Sequence, residues 1–83
     1  TSAEGIAALV AHIQMLEIGD GVENALLVSL NNANASYQMG NEIAGDNKIH
    51  AFQNKVKAMR GGQLTDEQAD YLIFLSNLLL ANG

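Results

Sequence analysis

The side chains of this 83-residue chain that could carry chemistry are two histidines, nine acids and four bases. His12 and His50 stand 38 positions apart, and neither has a second histidine or a carboxylate at metal-ligand spacing. His50 precedes Lys55, but the run His50-Ala51-Phe52-Gln53-Asn54-Lys55 does not match the His-x-x-Lys pattern of phosphotransfer bundles. Cysteine is absent, which removes disulfides, thiolate metal sites, CxxC redox chemistry and a cysteine nucleophile. No serine lies in a Gly-x-Ser-x-Gly turn. Paired carboxylates could serve glycoside hydrolysis, but so small a chain offers no deep cleft to raise the pKa of an acid. Asp20, Glu23, Glu42 and Asp46 flank loops, yet neither Gly19-Asp20-Gly21 nor Gly45-Asp46-Asn47 supplies the alternating oxygen ligands of a calcium loop. The residues therefore predict no catalytic group, no metal ligand and no cofactor, and the chain reads as a non-enzyme.

Surface chemistry is what remains. Nine asparagines are present, and Asn31, Asn32, Asn34, Gln38 and Asn41 crowd one stretch beside Tyr37. Amides offer paired donors and acceptors that suit sugar hydroxyls, and an aromatic ring can stack on a pyranose face. Asn31, Asn34, Tyr37 and Gln38 are thus candidates for a neutral sugar. The alternative is a solvated amide face with Tyr37 turned into the core. Lys48, Lys55, Lys57 and Arg60 place every cation in a second stretch. The three lysines are candidates for an acidic glycan, or they form a solvated face suited to the C-terminal half of a helix.

The elements that must position these residues follow from composition. Apolar residues make up 48% of the chain, with twelve Ala, eleven Leu, four Val and no proline, a balance that favours helix over sheet. The length fits one small domain. A net charge of −5 argues against nucleic acid as a partner. No uninterrupted apolar run approaches the roughly 20 residues of a membrane span. Residues 1–5 read as a linker remnant, and 6–83 as a single module.

Punctuation divides the chain into four helices. The first runs from about Ala3 to Ile18, with Ile6, Leu9, Val10, Ile13 and Leu16 on one face. After Gly19, Asp20 with Glu23 predicts a capping box for the second, which carries Val22, Leu26, Leu30, Ala33 and Tyr37 and closes at Gly40. Asn41 caps the third, where Gly45, Ile49, Phe52, Val56 and Met59 form the stripe. An internal glycine costs about 1 kcal/mol against alanine, so either that helix starts near Asp46 or a neighbour crosses closely at Gly45. Thr65 with Gln68 predicts a capping box for the fourth, whose broad apolar face packs against more than one neighbour. Short connections make successive helices antiparallel, giving an all-α, compact antiparallel four-helix bundle. An acyl carrier protein is also small, acidic and four-helical, but its Asp-Ser-Leu opening of the second helix is replaced here by Asp20-Gly21-Val22.

Gly40-Asn41, Ala44, Ile49, Ala51-Phe52, Val56, Ala58, Gly61-Gly62, Leu64-Thr65, Gln68-Ala69-Asp70 and Leu72 form a pattern that resembles the FIMAH domain. This is a small helical module that recurs, often near the C-terminus, in large secreted bacterial proteins such as polysaccharide lyases, glycosidases and proteases. The earlier half is compatible through Gly21-Val22, Asn24-Ala25-Leu26, Leu30 and Ala33, so the resemblance covers about Ile6 to Leu80. Gly45 departs from the family's usual alanine, and Ser29 from a common lysine. The resemblance implies secretion, attachment to a larger enzyme and a non-catalytic duty. The expected role is an accessory module of a multidomain, polysaccharide-acting enzyme, binding a polysaccharide or cell-surface glycan beside the parent's neighbouring domains. The alternative is a structural spacer or protein-interaction module with no glycan ligand.

Overall fold

A computed structural model describes residues 1–82 as four helices: α1 (Ser2–Gln14), α2 (Asp20–Gln38), α3 (Glu42–Met59) and α4 (Asp66–Asn82). Each packs on its chain neighbour and α1 closes the ring against α4, so the fold is an all-α four-helix bundle of 34 × 21 × 19 Å. The apolar stripes read from the sequence meet at its centre. Ile6, Leu9 and Ile13, Leu26, Leu30 and Ala33, Ile49, Phe52 and Val56, and Ala69, Leu72 and Leu79 are all buried, joined by Leu64 from the last loop. Helical periodicity alone aligns these positions, and their removal from water supplies the main driving force.

The helix ends differ from expectation in two places. Helix α1 stops at Gln14 rather than Ile18, because Glu17 adopts a left-handed φ of 55° that no helix continues through. Leu16 and Ile18 still pack against the core, from the loop. Asp20 does not cap α2: Gly19 occupies that position at φ 89°, and no side chain bonds the cap. Glycine reverses the chain one residue early there, leaving Asp20 and Glu23 in the first turn, where they complement the helix dipole. Residues 1–5, expected as a linker remnant, form the cap and opening turn of α1. Glu4 N donates to Thr1 Oγ1 at 3.3 Å, and Thr1 N donates to Glu4 Oε1 at 2.8 Å.

Other signals match their geometry. Asn41 Oδ1 accepts from Ala44 N at 3.1 Å. Gln68 N donates to Thr65 Oγ1 at 3.0 Å while Thr65 N donates to Gln68 Oε1 at 2.9 Å, closing the expected box, an arrangement worth about 1 kcal/mol. Gly45 lies inside α3, and a neighbour does cross there: the ring of Tyr37 rests on its backbone. One polar link is buried between α3 and α4. Gln53 Nε2 donates to Ser76 Oγ at 2.8 Å and to Asn77 Oδ1 at 2.7 Å, and Ser76 Oγ donates on to the Ile73 carbonyl at 2.9 Å.

Candidate functional site

Two polar surfaces hold most of the candidate residues. The first lies at the end of the bundle where α1 and α3 begin and α2 and α4 finish. Asn34, Tyr37 and Gln38 line an open cleft of about 440 Å³ there with Ser2, Glu42 and Asn82. Their spacing of three and four along α2 makes them one stripe. Asn31 is exposed one turn earlier on α2 and does not line the cleft.

Tyr37 has a structural commitment as well. It is half-buried, its ring lies over Gly45, and its hydroxyl donates to Asp46 Oδ1 at 2.7 Å. Burial foremost, then the hydrogen bond to Asp46 and the charges of Asp46 and Glu42, push the phenol well above its ordinary range. The folded chain therefore holds this proton more tightly than the unfolded one. The resulting stabilisation is complete below about pH 10, the unfolded value, and fades as pH rises beyond it. Urea unfolding of wild type and Tyr37→Phe should show a wild-type advantage that is constant from pH 7 to 9 and shrinks by pH 11, on the order of the tyrosine reference value. An advantage that stays flat to pH 11 would refute the coupling.

The second surface is the α2–α3 seam. Lys55 Nζ donates to Ser29 Oγ at 2.6 Å and the Ala25 carbonyl at 3.4 Å, and Lys48 Nζ donates to Ser36 Oγ at 2.7 Å. Both serine hydroxyls donate back to the carbonyl four residues earlier, Ser29 to Ala25 at 3.3 Å and Ser36 to Asn32 at 3.5 Å, leaving lone pairs for the ammonium groups. Lysines and serines are each seven apart, two helical turns, so antiparallel packing matches them as two rungs. Between the rungs, Ser29, Asn32, Lys48 and Ala51 bound a hollow of about 140 Å³. Lys57, nine positions beyond Lys48, projects from the opposite flank of α3 and does not join them. Among the described residues none of the three lysines is in an ion pair; Arg60 instead pairs with Asp70.

Family models, curated proteins and solved structures offer no match to this chain. No group of three or more His, Cys, Asp or Glu among the described residues could hold a metal ion. None of the helices described is long and apolar enough to cross a membrane. Sequence reasoning missed the part taken by Ser29 and Ser36, although the shared seven-residue spacing with Lys48 and Lys55 was a readable signal. It also missed Tyr71 and Phe74, two aromatic rings left at the surface of α4.

Proposed function

We propose that this chain is a non-catalytic, FIMAH-like accessory module of a secreted bacterial multidomain enzyme, attaching it to a neutral polysaccharide or cell-surface glycan. The observation that carries the reading is the end cleft, where three amides, a half-buried aromatic and Glu42 converge on one open hollow. Amides and a carboxylate can exchange hydrogen bonds with the hydroxyls of a sugar, and an open cleft admits an internal segment of a chain. Glu42 favours a neutral sugar over an acidic one by simple charge repulsion. Tyr37 contributes an edge and a fixed position, since the ring is already spread over Gly45.

A second reading has its own observation. Lys48 and Lys55 carry charge without a carboxylate partner beside a polar hollow, which suits a uronic-acid or sulfated glycan. Titrating the isotopically labelled chain with neutral mannan or xylan and with polygalacturonate separates the two. Neutral binding should shift the amides of Asn34, Tyr37, Gln38 and Glu42. Acidic binding should shift those of Ser29, Asn32, Lys48 and Lys55. If no resonance of α2 or α3 moves with any polysaccharide, glycan attachment is wrong.

A further inference from the structure

Helix α4 is apolar around more of its circumference than α1 and α3 cover. Ala69, Leu72, Ser76 and Leu79 are buried, yet Tyr71, Phe74 and Leu78 stay 46%, 54% and 45% exposed. Spacings of three and four place these three in one stripe. The Tyr71 ring lies 4.6 Å from that of His12 on α1 and 5.9 Å from that of Phe74, centroid to centroid. On α1 the surface continues through exposed Ala8 and Ala11 to Met15, which is 77% exposed. A groove of about 240 Å³ runs between the helices, bounded by Gly5, Ala8, Leu75 and Leu78 among others. Gly5 and Ala8 let α4 come close to α1: a Cβ on Gly5 would lie 2.8 Å from Leu79 Cγ.

Charge is distributed unevenly around this face. Glu4 and Glu17 precede Asp20, and Asp66, Glu67 and Asp70 follow Arg60, with no lysine or arginine in either stretch. Between Asp20 and Arg60 four acids offset four cations, so the whole net charge of −5 belongs to the α1 and α4 segments. Asp70 is engaged by Arg60. Glu4 stands four positions before Ala8 on the α1 stripe, and Glu67 four before Tyr71 on the α4 stripe. Gly5 meets Leu79 and His12 meets Tyr71, so α1 and α4 run antiparallel and the two glutamates mark opposite ends of the face. Glu4 is also paired through Oε1 with the ammonium of Thr1 at 2.8 Å, so Glu67 is the acid of the two without an ion-pair partner among the described residues.

We propose that the α1–α4 face docks a basic amphipathic helix of a partner protein. An apolar strip flanked by carboxylates at both ends selects a segment with the reverse pattern: leucine-like residues at i, i+3 and i+7 between lysines or arginines. From Glu67 to Leu78 the stripe spans about 16 Å at 1.5 Å per residue, so the partner supplies about three turns. A second copy of the chain is the wrong occupant, because it would bring one acidic helix pair against another. An anionic lipid surface fails for the same reason. The groove adjoins the end cleft, with Thr1 and Asn82 bordering both, but its floor of Gly5, Ala8, Leu75 and Leu78 is apolar.

The test uses the whole chain and a labelled synthetic helix with leucines in the apolar pattern and lysines at both ends, followed by fluorescence anisotropy. Controls are a scrambled peptide of identical composition and a version with glutamate for lysine. The basic amphipathic peptide should bind at micromolar concentration, and several-fold more weakly when salt is raised from about 50 to 200 mM. Phe74→Ala should weaken it about tenfold. Glu4→Gln combined with Glu67→Gln should weaken it a few-fold in a chain that circular dichroism shows to be still folded, its melt lowered by the loss of two acids from helix N-termini; this variant decides the matter should Phe74→Ala unfold. Equal binding of the scrambled or acidic peptide overturns the proposal, as does wild-type affinity in the folded Phe74→Ala protein. So does a dimer that Phe74→Ala abolishes, which would assign the face to a second copy.

Discussion

Replacing Phe52 with alanine is expected to destabilise the bundle by about 3 to 5 kcal/mol, the usual cost of emptying a buried aromatic site. The ring is fully buried within the core cluster. A chain of 83 residues has a total stability on the order of 4 to 12 kcal/mol. The loss is thus a large part of the whole, and no disulfide holds the fold against it. Each kcal/mol shifts the melting temperature of so small a domain by about 4 to 8 °C. Circular dichroism should show the midpoint falling by well over about 12 °C on that scale, or a chain already unfolded at room temperature. A melt that overlays wild type would mean that α3 turns a different face to the core.

Gly45→Ala is expected to destabilise although helix propensity alone says the reverse. In an exposed helix interior, alanine for glycine gains about 1 kcal/mol. Here a Cβ would stand 2.5 Å from Tyr37 Cδ1 and 2.8 Å from Cζ, with Cε1 closer still. The ring has little room to retreat, because its hydroxyl is held by Asp46, the next residue of the same helix. Overpacking of this kind costs about 1 to 3 kcal/mol, so the net change should be a loss or, at least, the absence of the propensity gain. The decisive measurement is a double-mutant cycle with Tyr37→Ala. Once the ring is gone, the same Gly45→Ala change should stabilise, and a cycle with no coupling between the two sites would show that they are not in contact. The contact also accounts for a glycine inside a helix: the crossing ring leaves no room for a Cβ at this position.

The core was legible in the sequence because helical period depends on one chain at a time. Ile6, Leu9 and Ile13, or Ile49, Phe52 and Val56, share a face whatever stands opposite. Caps were legible where a side chain makes them, as at Asn41 and Thr65, and misread at Asp20, where a glycine took the position instead. The candidate surfaces needed the register between helices, which no single stripe encodes. Asn34, Tyr37 and Gln38 share a stripe and stay together, whereas the three lysines, grouped by proximity in the chain, divide between two flanks of α3. The surface of α4 escaped notice for another reason. A helix apolar nearly all round does not reveal which of its rings the bundle leaves in water.

The buried amide of Gln53 bears on how many structures the sequence could adopt. Leucines and isoleucines accept many near-equivalent packings, so an apolar seam between α3 and α4 alone would tolerate sliding or rotation. An amide that finds both acceptors in one alignment does not: displaced by one residue, Nε2 would be buried without Ser76 or Asn77, a penalty of about 1 to 3 kcal/mol. Its net contribution to stability is small beside that of Phe52. Its larger effect is to raise the free energy of the competing alignments, which singles out one azimuth of α4 and, with it, the direction in which Tyr71, Phe74 and Leu78 face.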